Sequence, residues 1–228
     1  MNKLRIPILL ILLFTAFSCK KDDAAPASTL PTTPEAQSIN DDKSGGVYKG
    51  AVVGSTGSIK IVLQKGVKEI QLTIDGVSKT LTTDSLSSWT SGEIVRNAVF
   101  EADDWRVVFS VGATGIGATV ALNIPGHAGA EAILLKETSK ALVRSFDGTY
   151  AGSESGTWNF IIRDAELSGI SRSTDGQTIS TFAGLVNENT ITLLTIGGSG
   201  TISGDDASGT WQGSTADVKG TWVGKRVL

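Results

Sequence analysis

Gly46-Val47-Tyr48-Lys49-Gly50 returns 102 residues later as Gly148-Thr149-Tyr150-Ala151-Gly152, and a glycine-led apolar strand follows each copy, from Gly57 and from Gly156. Asp75-Gly76 matches Asp175-Gly176 at an offset of 100, and the next stretches, Lys79 to Thr83 and Gln177 to Thr181, are alike. Ala98 to Phe109 aligns with Gly184 to Thr195 at an offset of 86. Landmarks that recur in one order point to an internal duplication. The fall in offset places about fourteen extra residues in the first half, near 84–97, where Ser85-Leu86-Ser87-Ser88-Trp89-Thr90-Ser91-Gly92 reads as a long loop or an extra hairpin.

The segments around these landmarks alternate at period two. Ile59, Ile61 and Leu63 share one parity, as do Trp105, Val107, Phe109 and Val111, then Val120, Leu122 and Ile124, and Trp158, Phe160 and Ile162. Such alternation marks strands with one buried face. Lys65-Gly66, Asp75-Gly76, Asp175-Gly176 and Asn187-Glu188-Asn189 are hairpin signals between them. No stretch carries a convincing helical period. The expected fold is therefore all-β, an antiparallel meander of two similar glycine-rich units, each a barrel or a sandwich, with one continuous twisted sheet as the other arrangement. The units are expected at 47–140 and 146–228. Trp158, Trp211 and Trp222 are expected to fill the interior.

The N-terminus is of another kind. Lys3 and Arg5 precede an apolar stretch from Ile6 to Phe17, and Ser18 stands directly before Cys19, the chain's single cysteine. About a dozen apolar residues fall short of the roughly 20 that span a bilayer, so residues 1–18 read as an export signal. The segment resembles the signal peptide of bacterial lipoproteins, and Lys20, Lys21, Asp22 and Asp23 resemble the tag that follows the lipidated cysteine in Bacteroidota-type lipoproteins. Ala16 stands where that pattern has Leu. The resemblance implies acylation of Cys19, export to the outer membrane and display on the cell surface. Residues 19–46 contain Pro26, Pro31 and Pro34 among Ala, Ser, Thr and Asp, a composition expected to form a disordered tether.

With its thiol used for lipidation, the chain has none left for a disulfide, so its core must hold it together. Loss of Lys3 and Arg5 with the signal would take the net charge from −3 to −5, and no nucleic-acid partner is expected of so acidic a chain. One histidine and one cysteine exclude a Cys/His zinc cluster. His127 lies in Ile124-Pro125-Gly126-His127-Ala128-Gly129, which reads as a turn. No serine stands in the nucleophile-elbow pattern. The glycines of Val111 to Gly117 are followed by a strand rather than the helix a phosphate loop requires, and they read as a turn or bulge. Glu101, Asp103 and Asp104, and Asp205 with Asp206, are read as solvated turn residues, with calcium binding or glycoside hydrolysis as sharper alternatives. No catalytic residue, cofactor or metal is assigned.

Trp89, in the extra segment, either contacts a ligand or folds back over a barrel end, and Trp105 is a second possible contact. The expected function is a non-enzymatic envelope lipoprotein, a surface binding module for a glycan, an envelope protein or a host molecule. Two alternatives are a periplasmic-side assembly lipoprotein and a lipocalin-like carrier of small molecules. The Gly-Thr-Trp triplets at Gly156, Gly209 and Gly220 resemble strands of avidin-like and lipocalin-like barrels, a resemblance that implies shape and names no ligand.

Overall fold

The computed structural model describes residues 29–54 and 56–228. Residues 1–28, with the signal segment, Cys19, Lys20, Lys21, Asp22 and Asp23, lie outside them. The chain is all-β, and its sixteen strands form two antiparallel meanders of eight. The first contains β1 (Gly46–Val53), β2 (Gly57–Gln64), β3 (Val67–Ile74), β4 (Val77–Thr82), β5 (Val95–Ala102), β6 (Trp105–Val111), β7 (Thr119–Asn123) and β8 (Glu131–Glu137). The second contains β9 (Val143–Gly152), β10 (Gly156–Arg163), β11 (Glu166–Ser173), β12 (Ile179–Asn187), β13 (Thr190–Leu193), β14 (Gly197–Ser203), β15 (Asp206–Gln212) and β16 (Lys219–Arg226).

In each unit the first strand pairs with both the second and the last, β1 with β2 and β8, β9 with β10 and β16. The second unit closes as a barrel, and the first is a barrel left open between β7 and β8. The fold is thus a pair of barrels rather than sandwiches. The repeat Gly46–Gly50 and Gly148–Gly152 marks the same strand in each, β1 and β9. The alignment of Ala98–Phe109 with Gly184–Thr195 is corrected: it sets β5 and β6 against β12 and β13, one strand out of step. The extra length in the first unit is the β4–β5 connection, residues 83–94, where the second unit turns through Glu188 and Asn189 alone.

Local sequence explains the turns. Lys65-Gly66 and Asp75-Gly76 both have left-handed backbones at both positions (φ 55 and 78°, 48 and 77°), the geometry that matches the twist of a two-residue hairpin. The first barrel has a filled core, with an open cleft at its β7–β8 seam lined by Val120, Ala132, Leu134 and Ile161. Tyr48, Ile59, Ile61, Leu63, Ile70, Leu72, Phe100, Val107 and Phe109 form one buried cluster, with the Tyr48 and Phe109 rings edge to face at 5.4 Å.

The barrels lie side by side through β1, β8, β9 and β10. Ala51, Val143 and Ile161 are buried between them, with Ile133 and Leu135 alongside. Two hydrogen bonds cross the contact: Asn159 Nδ2 donates to the Gly57 carbonyl at 3.3 Å and Ser145 Oγ to that of Gly50 at 3.1 Å, while Asn159 Oδ1 is buried without a partner among the described residues. Lys49 and Glu137, with side chains 1% and 0% exposed, form an ion pair of 2.7 Å beside this contact.

The expected disordered tether does not hold from Pro31 to Gly46. This segment is a strap across one end of the first barrel. The backbone N–H groups of Glu35 and Ala36 donate to Glu137 Oε1, the Gln64 side chain bridges Gln37 N and the Glu35 carbonyl, and the buried Lys136 ammonium donates to the carbonyls of Asn40, Asp41 and Lys43. Arg226, at the end of β16, donates to the Pro31 carbonyl, so the strap touches both barrels. Low hydrophobicity gave no sign of this, because the strap is held through its backbone by side chains far along the chain.

The strap is acid-sensitive by construction. Burial pushes Glu35 up, but hydrogen bonds and charge from Lys60 and Lys49 outweigh it and hold the carboxyl below its ordinary 4.5. The Ser139 hydroxyl and N–H hold Asp41 below its ordinary 3.8. A carboxyl lowered on folding stabilises the folded state above its unfolded value and loses that contribution as pH falls through the native one. Amide protection over residues 35–46, corrected for the pH dependence of intrinsic exchange, is expected to hold at neutral pH and to be lost selectively once the pH falls below the ordinary carboxyl values of 4.5 and 3.8. Uniform loss across both barrels would count against a strap that releases first.

Candidate functional site

The second barrel contrasts with the first in what faces inward. Gly148 and Tyr150 on β9, Gly156, Trp158 and Phe160 on β10, Gly209 and Trp211 on β15, and Gly220, Trp222 and Gly224 on β16 alternate glycine with aromatic rings on the interior face. Tyr150, Trp158, Trp211 and Trp222, and Phe182 on β12, each lie against a glycine of a neighbouring strand. A Cβ on Gly148 or Gly224 would come within 2.6 Å of Trp158 Cζ2, one on Gly200 within 2.1 Å of Trp222 Cζ2, one on Gly220 within 2.5 Å of Trp211 Nε1, and one on Gly169 within 2.2 Å of the Phe182 ring. With no side chain on these glycines, the rings sit close to the wall and line the space inside. This is the physical meaning of Gly-Thr-Trp: glycine and tryptophan share the inner face, and threonine points out.

A cavity of about 360 Å³ results, lined by Tyr150, Trp158, Phe160, Phe182, Trp211 and Trp222 with Leu193, Ile196 and Val218, and with Ser171, Ser180 and Glu154 toward the opening. That is at the small end of the roughly 300–1,000 Å³ typical of ligand pockets. As expected, Trp158, Trp211 and Trp222 face inward and are buried in the second barrel's core; their rings also bound a cup. Its floor is aliphatic, with Ile162, Leu167, Val186, Ile191 and Ile202 under Phe146. Its mouth lies among the loops 153–155, 174–178, 194–196 and 213–218. The rings are mutually braced: Trp158 stacks on Phe160 at 4.6 Å and meets Trp222 edge-on at 5.2 Å, and Tyr150 meets Trp211 edge-on at 5.9 Å. The Trp158 and Trp222 indole N–H groups donate to the Thr149 and Thr210 carbonyls, which fixes both rings.

The residues singled out from the sequence are scattered. Trp105 is 7% exposed in the first barrel's core, with the Lys79 ammonium 5.0 Å from its ring. Trp89 packs half-buried against the same core and donates its indole N–H to the Glu93 carbonyl at 3.1 Å. Asp103 and Asp104 pair with Lys79 at the β5–β6 turn. Asp206 pairs with Lys225 and Asp205 with Arg226 at the β14–β15 turn, which is not the topological equivalent of the β5–β6 turn. Among the described residues no group of His, Cys, Asp and Glu is placed to hold a metal ion. His127 sits in the β7–β8 connection, its Nδ1 3.8 Å from Asp75 Oδ2.

The sequence signal for the cup was the period-two pairing of glycine with aromatic residues on several strands. No family model, curated protein or solved structure matches this chain.

Proposed function

We propose that this protein is a non-enzymatic binding protein of the cell envelope whose second barrel takes a small, largely apolar molecule, while the first barrel, its core filled, is a support. The observation that carries the reading is the contrast between two barrels of one topology, one packed and one hollow with aromatic walls. A cavity kept open beside glycines leaves the ring surface that lines it without packing partners on that side, and a bound molecule supplies the missing contacts. Among the alternatives drawn from the sequence, this favours the small-molecule carrier over a glycan- or protein-binding surface built on Trp89 and Trp105. In this reading Cys19 is the lipid attachment site and the outer membrane the location. Acylation would hold the protein at the bilayer at about 0.8 kcal/mol per buried CH₂, and protease treatment of intact cells would test surface display.

Protein purified without denaturant is expected to release a small molecule into organic solvent, and Ser180→Phe, which places a ring in the mouth, is expected to lower that yield at least about tenfold with the fold intact. Equal yields from both proteins, or none from either when the protein is prepared from its native source, would overturn the reading.

A further inference from the structure

The charge lining the cup is of one sign. The four loops at its mouth carry Glu154, Asp175 and Asp217 and contain no lysine, arginine or histidine. Glu154 is the one carboxylate in the lining, and no cationic side chain lines the cavity. The nearest basic residues on flanking strands lie outside it: Arg172 reaches toward Gly54 of the first barrel and Gly176, and Lys219 is exposed at the start of β16. The field reaches inside. Burial pushes the Tyr150 hydroxyl above its ordinary range, and the carboxylates of Glu154 and Asp175 push it further.

The walls have a sign as well. An aromatic ring presents negative potential at its face and positive potential at its edge. Trp158, Trp222, Trp211 and Phe182 sit against wall glycines and line the cavity together with Tyr150 and Phe160, so aromatic surface borders much of it. Aromatic faces with a carboxylate at the rim attract cations and repel anions.

We infer that the cup is selective for an organic ammonium ion, with its apolar body among Trp158, Phe160, Phe182 and Trp222 and its cationic head toward Tyr150, Trp211 and Glu154. The inference rests on the cup being a binding site, and it adds the charge of what binds. A neutral apolar guest would gain the same burial but nothing from Glu154 or the ring faces, and an anion would meet both as repulsion.

Equilibrium dialysis of the full-length protein with three benzyl probes separates these cases: benzyltrimethylammonium, its neutral isostere neopentylbenzene, and the smaller anion phenylacetate. The ammonium is expected to bind at least about fivefold tighter than neopentylbenzene, the ratio given by ~1 kcal/mol, with phenylacetate weakest. Glu154→Gln should reduce ammonium binding severalfold and leave neopentylbenzene unchanged, and added salt should narrow the preference, since Glu154 is exposed. Equal or tighter binding of neopentylbenzene or phenylacetate would overturn the charge selectivity and leave the cup as a binding site. Retention of none of the three, or equal retention by Ser180→Phe, would remove the cup reading and this inference together.

Discussion

Replacement of Lys49 by methionine is expected to lower folding stability by about 3–5 kcal/mol, the cost of leaving one member of a buried ion pair alone. The Lys49 ammonium lies 2.7 Å from Glu137 Oε2 and 2.9 Å from Glu35 Oε2. Glu137 also accepts from Val143 N, at the start of the second barrel, and from Glu35 N and Ala36 N in the strap. One carboxylate thus joins both barrels and the strap, and Lys49 balances its charge. Urea unfolding measures the loss. Lys49→Met/Glu137→Gln should recover part of it, because removing both charges leaves no unpaired ion behind. A loss under about 1 kcal/mol for the single variant would mean that solvent reaches Glu137 once Lys49 is gone.

Gly209→Ala is the second large effect. A Cβ there would lie 2.1 Å from the Ser199 carbonyl oxygen and 2.6 Å from Trp222 Cζ2. Neither the backbone nor a ring held by its N–H to Thr210 yields easily, so the added methyl is expected to cost about 1–3 kcal/mol or more and to drive the Trp222 ring into the cup. The near-ultraviolet circular dichroism of the indoles should change, and ligand capacity should fall with it. In a double-mutant cycle with Trp222→Leu, a coupling above about 0.5 kcal/mol is expected. Additive effects would show that the clash is with the backbone alone, and that the ring's placement does not depend on the glycine.

The two variants separate the roles of the barrels. Lys49 acts at their junction, where Ala51, Val143 and Ile161 are also buried, and its loss should weaken both units together. Gly209 acts within the second barrel, and its effect on binding should exceed its effect on the packing of the first.

Much of the fold was legible because it rests on local rules. Period-two alternation from Ile59 to Leu63 and from Trp158 to Ile162 is a property of the pleat, so it survives any rearrangement of strand order. The hairpin at Asp75-Gly76 is dictated by backbone sterics. The duplication was visible at β1 and β9 but slipped at β5, because short strands of β-branched and glycine residues align in several registers. The strap was illegible: its partners, Glu137, Lys136 and Arg226, lie about 95 to 195 positions away in the chain, and no compositional signal carries such contacts.

The candidate site was legible in its parts and not in its arrangement. Gly156-Thr157-Trp158, Gly209-Thr210-Trp211 and Gly220-Thr221-Trp222 place an aromatic ring and a glycine on one face of a strand, and that much follows from the period of a β-strand. Whether such rings fill a barrel or line it depends on what stands opposite them on the next strand. The register that sets Trp158 against Gly148, Trp211 against Gly220 and Trp222 against Gly209 is fixed only when the barrel closes. The sequence by itself determined two units, their strands, their hairpins and the acidic loops. The tertiary structure decided that one barrel has a filled core and the other is hollow, because packing depends on cross-strand neighbours that sequence spacing does not specify.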